Sequence, residues 1–296
     1  MDTHESSIKR WCNAGDLACE TTSGGHRRIR LDALARFADA HGMMVDFLAF
    51  EEDKEPAVAG LLQLRRGRVS AELQETVKAW LLDAQSYRMS ALMRLARSFG
   101  VDLPLLYDRL IGGVMRDVGD SWAAGAFQVG EEHRISEAVL DVLYGQQAAV
   151  ERGLPAGAPG AVLGAMREEE HVTGAMMVRT LLTEAGWKVA YLGRNVPEED
   201  FVLFQRKVEA PLVCLSATIS RAPETIIEVV NRVLALGGDD ASFTVAVGGS
   251  GARAAQRLSR LISQPDRVFF FESATDFADW AGSLQSNQVL VEDETH

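Results

Sequence analysis

The stretch "GAVLGAMREEEHVTGAMMVRTLLTEAGW", residues 160–187, decides the fold, because a short apolar run leads through a polar loop into a helical pattern. The run "GAVLGAM" is short and apolar, which is typical of a buried strand. The run "AMMVRTLLTEAGW" has helical spacing and reaches a glycine near its end. The sequence therefore predicts a strand, a loop that contains "EEEHVTG", and a helix.

The same strand and helix pattern repeats towards the carboxyl end. The candidate strands are "AVLGAM", "KVAYLG", "LVCLSAT", "FTVAVGG" and "RVFFF". The candidate helices are "HVTGAMMVRTLLTEAG", "PEEDFVLFQRKV", "PETIIEVVNRVLALG", "GARAAQRLSRLI" and "ATDFADWAGSL". Five βα units predict a five-stranded parallel sheet with helices on both faces and right-handed crossovers. Ligands of such sheets bind beyond the carboxyl ends of the strands, where "EEEHVTG" lies.

The chain upstream of the sheet has a different pattern. Between about residues 70 and 150, the runs "LQETVKAWLLDA", "MSALMRLARSFG" and "LPLLYDRLIGGVM" carry apolar stripes at helical spacing. They predict a bundle of about four helices. The charged stretch "EEDKEP", residues 51–56, is predicted to be a linker, and residues 1–50 form a short N-terminal segment. The fold class is therefore multidomain, α and α/β.

Composition limits the classes of protein to consider. The 296 residues are 47% hydrophobic, and the formal net charge of -12 argues against a uniformly basic nucleic-acid binder. Residues 1–37 are locally basic, with six Lys or Arg against five Asp or Glu. The three cysteines contain no CxxC pair, which indicates reduced thiols. No apolar run approaches a membrane span or the core of a signal peptide, so we expect a cytoplasmic protein without membrane contact.

The loop motif Glu169-x-His171-x-x-Gly174 resembles the cobalamin-binding signature of flavodoxin-like domains. A neutral imidazole at position 171 is a good cobalt ligand. Glu169, two positions away, lies on the same side and can fix the tautomer and orientation of that ring. Gly174 lets a bulky corrin approach the backbone. Taken alone, the histidine is equally compatible with an ordinary polar loop residue.

Two later motifs extend this resemblance. Ser216-x-Thr218 ends the third predicted strand, and Gly248-Gly249 ends the fourth. In the cobalamin-binding family these small residues line the slot for the displaced dimethylbenzimidazole tail, although each is singly compatible with a turn glycine or a strand-end serine. The resemblance covers residues 160–285, and we predict a cobalamin-binding domain over residues 158–287.

The helical segment before the sheet, predicted to be a cap over residues 70–152, contains "SWAAGAFQVGEEHRIS". On an unbroken helix Trp122 and His133 would lie about 16 Å apart, too far to share one small ligand. Gly125 and Gly130 flank "AFQV", so we expect a break between two helices there. The Trp122-x9-Glu132-His133 arrangement resembles the cap of light-dependent, adenosylcobalamin-binding repressors of the CarH/LitR type.

The resemblance implies roles for the cap residues. Trp122 offers a flat apolar face to the 5′-deoxyadenosyl group, and Val129 packs beside it. Glu132 accepts hydrogen bonds from the ribose hydroxyls. His133 becomes the upper cobalt ligand once the cobalt–carbon bond breaks. The alternative is that the tryptophan belongs to the bundle core and that "GEEHR" is a solvated helix start.

The N-terminal runs "SSIKRWCNAGDL" and "ETTSGGHRRIRLDALARF" resemble a MerR/excisionase-type winged helix. Ser6 and Ser7 are expected to cap the recognition helix, and "GGHRRI" to form the wing. The first helix of that motif is expected to be missing, because only "MDTHE" precedes the serines. The residues expected to contact DNA are Lys9, Arg10, His26, Arg27 and Arg28.

Together these resemblances imply a light-responsive transcriptional repressor and not an enzyme. In the dark the chain is expected to bind adenosylcobalamin with His171 below the cobalt, to assemble as a homotetramer and to bind operator DNA. Light would cleave the cobalt–carbon bond, His133 would take the upper position, and the assembly would come apart. The alternatives are a corrinoid carrier of a methyltransferase system, a sensor whose cap holds another chromophore, and a mutase subunit with a separate partner chain.

Overall fold

The computed structural model describes residues 4–22, 24–41, 46–155, 157–238 and 243–293. The chain divides into two compact units, Met1–Asp102 and Leu103–His296. Within the described part of the chain, every helix is either too short or too polar to cross a bilayer.

The first unit opens with a helix, a small hairpin and a second helix. These elements are α1 (Glu5–Ala14), the antiparallel strands β1 (Glu20–Thr21) and β2 (Arg27–Arg28), and α2 (Leu31–Ala40). The predicted serine cap is wrong, because the ring of His4 accepts the hydrogen bond from the Ser6 N–H and both serines lie inside the first turn of α1. Phe37 is buried, and its ring centroid lies 4.9 Å from that of Trp11. Residues 1–3, "MDT", and Ser23, which precedes the predicted wing, lie outside the described residues.

The rest of the first unit is helical. It consists of a 3-10 helix (Asp46–Asp53), α3 (Lys54–Leu64), α4 (Ala71–Leu82) and α5 (Ser86–Ser98). The prediction that "EEDKEP" is a linker is wrong, because this stretch ends the 3-10 helix and begins α3. Its Asp53 carboxylate accepts hydrogen bonds from the Trp80 indole at 2.6 Å and from the buried Arg88 guanidinium at 2.8 Å. A buried cation needs such a partner, which fixes this segment against the helices.

The second unit begins with more helices. These are α6 (Leu103–Leu106), a π-helical turn (Tyr107–Ile111), α7 (Gly112–Ala123) and α8 (Val129–Val150). The predicted break between two helices is confirmed, because residues 124–128 separate α7 from α8. Gly125 has a left-handed backbone, with φ of +73°, which favours glycine at this turn. The boundary between the two units lies inside the predicted cap, residues 70–152. The limits of the cap domain therefore stay a prediction.

The remainder of the second unit is the predicted α/β domain. Its elements are β3 (Gly160–Met166), α9 (Thr173–Glu184), β4 (Lys188–Val196), α10 (Glu198–Lys207), β5 (Leu212–Ser216), α11 (Pro223–Gly237), β6 (Thr244–Gly248), α12 (Ala252–Gln256), β7 (Val268–Phe271) and α13 (Ala274–Asp293). The helix predicted over 251–262 is shorter than expected, since a 3-10 turn (Ser259–Leu261) follows α12.

The five strands form one parallel sheet in the order β4-β3-β5-β6-β7. This is the flavodoxin-like order, in which the switch point lies between β3 and β5. Helix α9 packs against α13, and α10 packs against α11, so helices cover both faces. All residues of β5 are buried, as expected of a central strand. The predicted flavodoxin-like fold is therefore confirmed, whereas the winged-helix assignment stays a prediction.

The π-helical turn carries a carboxylate that caps a helix far away in the sequence. Asp108 accepts hydrogen bonds from the N–H groups of Ala274 and Thr275 at 2.6 and 3.0 Å, and from the Thr275 hydroxyl at 2.6 Å. The first N–H groups of a helix have no partner within the helix, and a carboxylate there also interacts favourably with the helix dipole. Asp108 therefore joins the helical segment to α13.

Substitution of Asp108 by alanine is expected to lower the free energy of unfolding by about 1–2 kcal/mol, the usual cost of losing an N-terminal cap. Urea unfolding followed by circular dichroism measures this change. Asp141, an exposed aspartate on α8, supplies the matched control as Asp141→Ala. Equal stability of the two variants would contradict the capping role of Asp108.

Candidate functional site

The loop after β3 places one buried carboxylate between two neighbouring loops. Glu169 is only 1% exposed. Its Oε1 atom accepts hydrogen bonds from the His171 N–H at 3.0 Å and from His171 Nδ1 at 2.7 Å. Its Oε2 atom accepts from the Thr218 N–H at 2.9 Å and from the Thr218 hydroxyl at 2.7 Å. The carboxylate therefore links the loop after β3 to the loop after β5.

The histidine ring is exposed although its partner is buried. The His171 side chain is 65% exposed. An ionised carboxylate only accepts hydrogen bonds, so it assigns the proton of a neutral ring to Nδ1 and leaves the lone pair on Nε2. A ring nitrogen that is free while the other donates to a carboxylate is the usual arrangement of a metal-binding histidine. The predicted pairing of Glu169 with His171 is thus present in the structure.

The charge state of Glu169 follows from its surroundings. Burial raises the pKa of this carboxyl group, but the hydrogen bonds from Thr218 and His171 outweigh burial and hold the pKa below its usual value. The carboxylate is therefore ionised at neutral pH and remains an acceptor on both of its oxygens.

Two glycines after β6 bring that loop close to the loop after β5. Gly249 has a φ of +106°, and a Cβ atom there would lie 2.3 Å from the Ala217 carbonyl oxygen. A Cβ atom on Gly251 would lie 2.6 Å from the Thr218 carbonyl oxygen. Both positions therefore require glycine for a close backbone approach. This packing requirement is sufficient to explain glycine at position 249. Gly251 was not identified from the sequence.

The other predicted small residues face more open space. A Cβ atom on Gly174 would meet only the Ser216 hydroxyl oxygen, at 3.9 Å, among described neighbours within 4 Å. A Cβ atom on Gly248 would meet the Phe271 carbonyl oxygen at 4.0 Å. The structure thus brings Gly174 and Ser216 together and leaves room beside the first of them. This open space and the free His171 Nε2 atom fit a bulky, metal-containing ligand such as a corrinoid.

The predicted cap residues lie on both sides of the break between α7 and α8. Trp122 is 52% exposed and Val129 is 55% exposed, so the alternative that the tryptophan belongs to the bundle core is wrong. Glu132 accepts a hydrogen bond from the Ser136 hydroxyl at 2.7 Å, and its second oxygen lies 3.5 Å from His133 Nε2. The His133 side chain is 70% exposed. No hydrogen bond found among the described residues joins these residues to Glu169 or His171.

The five predicted DNA contacts, Lys9, Arg10, His26, Arg27 and Arg28, are all exposed in the first unit. Two of these side chains have partners among the described residues of the protein. Lys9 pairs with Glu5 at 2.7 Å, and Arg27 donates to the Asn13 side-chain oxygen at 2.7 Å. The second contact joins the β1–β2 hairpin to α1, so the hairpin is positioned beside the helix that carries Arg10.

Sequence reasoning missed three residues beside the histidine loop. Ile219 follows Thr218 and is 78% exposed, which gives an apolar surface next to the Glu169 contact. Asn195 and Arg221 donate hydrogen bonds to the segment before His171. The sequence signal was weak, because these residues come from the end of β4 and the loop after β5, distant in the chain from the motif.

Comparison with known proteins places the chain among corrinoid-binding proteins. Residues 160–278 match a family described as B12 binding domain, and residues 73–144 match a second family with the same description. The HTH-type transcriptional repressor CarH of Myxococcus xanthus is 28% identical over 235 residues, which cover 78% of this chain and 75% of the repressor. The monomethylamine corrinoid protein of Methanosarcina barkeri has a similar fold, with a TM-score of 0.55 and 17% identity over 71% of this chain and 96% of that protein. The chain therefore carries B12-binding domains over these two segments and is similar to the CarH repressor along most of its length.

Proposed function

We propose that the chain is a light-responsive, cobalamin-dependent transcriptional repressor rather than an enzyme. The observation that carries the proposal is the buried Glu169 carboxylate, which binds His171 Nδ1 and leaves Nε2 exposed. The similarity to the CarH repressor over most of both chains supports the regulatory role. With adenosylcobalamin in the dark, the chain assembles as a homotetramer and binds operator DNA.

The lower side of the site is assigned to the α/β domain. His171 Nε2 would hold the cobalt, and Glu169 orients the ring through its hydrogen bond to Nδ1. The open space at Gly174 and Gly248 accommodates the dimethylbenzimidazole tail. The Thr218 hydroxyl donates to Glu169 and lies 2.6 Å from the Ser220 hydroxyl, so we assign it to holding the carboxylate in place.

The upper side is assigned to the cap. Trp122 and Val129 present exposed apolar surface that suits the adenosyl group, and Glu132 has acceptor capacity for ribose hydroxyls. Bound adenosylcobalamin supplies a cobalt–carbon bond that light breaks. His133, adjacent to Glu132 and largely exposed, is assigned as the upper cobalt ligand after illumination.

DNA binding is assigned to α1 and the β1–β2 hairpin. A single DNA-binding segment of this kind, which we call a reader, has few cations for phosphate contacts, because Lys9 and Arg27 already contact Glu5 and Asn13. Assembly places several readers on one DNA molecule and raises their effective concentration. Loss of the assembly therefore releases DNA without any change in the reader itself.

To test this proposal, the chain is reconstituted with adenosylcobalamin in the dark. Light scattering then measures the size of the assembly, and a binding assay measures its affinity for a DNA duplex over a range of salt concentrations. Green light is expected to reduce both the size and the affinity. In the dark, the double variant Arg10→Ala, Arg28→Ala is expected to lower the salt slope by about two for each reader that contacts the DNA, roughly one for each phosphate contact.

The exposed Arg257 in the second unit gives the control Arg257→Ala, which should keep the slope of the unaltered chain. A chain that keeps its size in the light and passes methyl groups to a partner protein is a corrinoid carrier, and that result refutes the repressor proposal.

A further inference from the structure

The turn that leads to Glu169 is bound from the end of the neighbouring strand β4 by reciprocal hydrogen bonds. The Glu168 N–H donates to the Asn195 side-chain oxygen at 2.7 Å, and the Asn195 N–H donates to the Glu169 carbonyl oxygen at 3.0 Å. Both Glu168 and Asn195 have a left-handed backbone, with φ of +60° and +53°. Residues other than glycine adopt this conformation at a cost, and it persists where the surrounding contacts impose it.

The loop after β5 contributes an arginine to the same turn. Arg221 Nη1 donates to the Glu168 carboxylate at 3.0 Å, and Nη2 donates to the Arg167 carbonyl oxygen. The Arg221 side chain is only 16% exposed, whereas its partner Glu168 is 74% exposed, so the arginine is held within the protein and the carboxylate stays in contact with solvent. The Arg221 N–H also donates to the Thr218 carbonyl oxygen at 3.1 Å. The segment that binds the Glu169 carboxylate therefore also binds the residues just before it.

These contacts determine where the Glu169 carboxylate lies. The carboxylate follows the turn directly, and its four hydrogen bonds to His171 and Thr218 require both loops to keep their positions. Rotation of the turn at Glu168 would move the carboxylate away from the His171 ring. The ring would then be free to exchange tautomers and orientations.

We propose that Asn195 and Arg221 are positioning residues for the lower cobalt ligand. They hold the turn so that His171 keeps its proton on Nδ1 and its Nε2 lone pair directed outward before any ligand arrives. The inference rests on the proposed function for the identity of the metal, whereas the orientation of the ring is a property of the protein alone.

The test uses Asn195→Gly and Arg221→Lys, each in the full chain. Glycine accepts the left-handed backbone at position 195, so this change removes the side-chain acceptor without a backbone clash, and it also loosens the backbone there. Lysine keeps a cation at position 221 but cannot make both contacts of the guanidinium. Arg232, which pairs with Glu199 at 3.3 Å on the exposed surface, gives the control Arg232→Ala.

Two readouts are taken without cofactor and one with hydroxocobalamin. In the unliganded protein, nitrogen NMR is expected to show one His171 tautomer in the unaltered chain and a mixture in the variants. Amide hydrogen exchange at residues 168–171 should become about tenfold faster. The affinity for hydroxocobalamin should fall about tenfold, the lower end of the range for lost partners of a metal ligand. Arg232→Ala should leave all three readouts unchanged.

The outcomes separate the two proposals. Variants that keep a single tautomer, slow exchange and full affinity would refute the positioning role of Asn195 and Arg221. Failure of the unaltered chain to bind hydroxocobalamin would refute the proposed function instead, while the tautomer and exchange data would still decide whether these residues orient the ring.

Discussion

Replacement of His171 by alanine is expected to weaken the binding of adenosylcobalamin in the dark by at least about 100-fold. Loss of a partner that only orients a metal ligand costs about 10–100-fold, so loss of the ligand itself should cost no less. Among the described residues, the exposed ring has Glu169 as its hydrogen-bond partner and no other, so the effect on folding should be small. An absorbance titration in the dark measures the affinity, and a thermal melt confirms that the variant is folded.

The matched control is His133→Ala, which changes the other exposed histidine of the second unit that we assign to the cobalt. This variant should bind adenosylcobalamin in the dark like the unaltered chain, and differ only in the absorption spectrum after illumination. Equal affinities for the unaltered chain and His171→Ala would remove position 171 from the site. An unchanged illuminated spectrum would remove His133 from the upper position.

Substitution of Glu169 by glutamine is expected to affect both stability and cofactor binding. The amide has nearly the shape of the carboxylate, but its nitrogen cannot accept a hydrogen bond. Either the His171 contacts or the Thr218 contacts therefore lose their acceptor inside the protein. A buried group left without a partner costs about 1–3 kcal/mol, and the affinity for hydroxocobalamin should fall about 10–100-fold. Urea unfolding and an absorbance titration measure the two effects.

The neighbouring carboxylate supplies the control. Glu170 is exposed and lies 3.9 Å from Arg194, so Glu170→Gln should change stability by less than about 0.5 kcal/mol. If both glutamine variants behave alike, the buried network around Glu169 does not orient His171.

The low pKa of Glu169 also makes the stability of this site depend on pH. The folded protein binds this proton less tightly than the unfolded chain, because the hydrogen bonds to Thr218 and His171 outweigh burial. The stabilising contribution is therefore complete above the unfolded pKa of about 4.3, and it is lost as the pH falls through the lower pKa of the folded state. Glu169→Gln should lack this part of the acid dependence.

The sequence was sufficient for features that depend on local pattern. Short apolar runs followed by helical spacing predicted all five strands of the sheet. The pair Gly125 and Gly130 predicted the break between α7 and α8. The Glu169 and His171 pairing followed from their spacing along an extended segment. In each case the deciding interaction lies within a few residues of the chain.

Features that depend on distant partners were missed. The stretch "EEDKEP" looked like a linker because Asp53 finds its partners in Trp80 and Arg88, 27 and 35 residues later. The contact of Asp108 with α13 spans more than 160 residues, and no periodicity could indicate it. The sequence also contained no sign that a Cβ atom at Gly249 would collide with the Ala217 backbone, and the assignment of Gly249 to the cofactor site stays a prediction. Each of these contacts exists only once the chain is folded.

Electron paramagnetic resonance of the protein loaded with cob(II)alamin tests the central claim most directly, because the cobalt electron couples to the nitrogen below it. The His133→Ala variant grown with ¹⁵N-histidine should show each cobalt line split into a doublet, and the same variant without the label should show a triplet, since His171 Nε2 is then the coordinating nitrogen. A triplet that persists in the labelled protein would assign the lower nitrogen to the cofactor's own dimethylbenzimidazole, and would contradict the account.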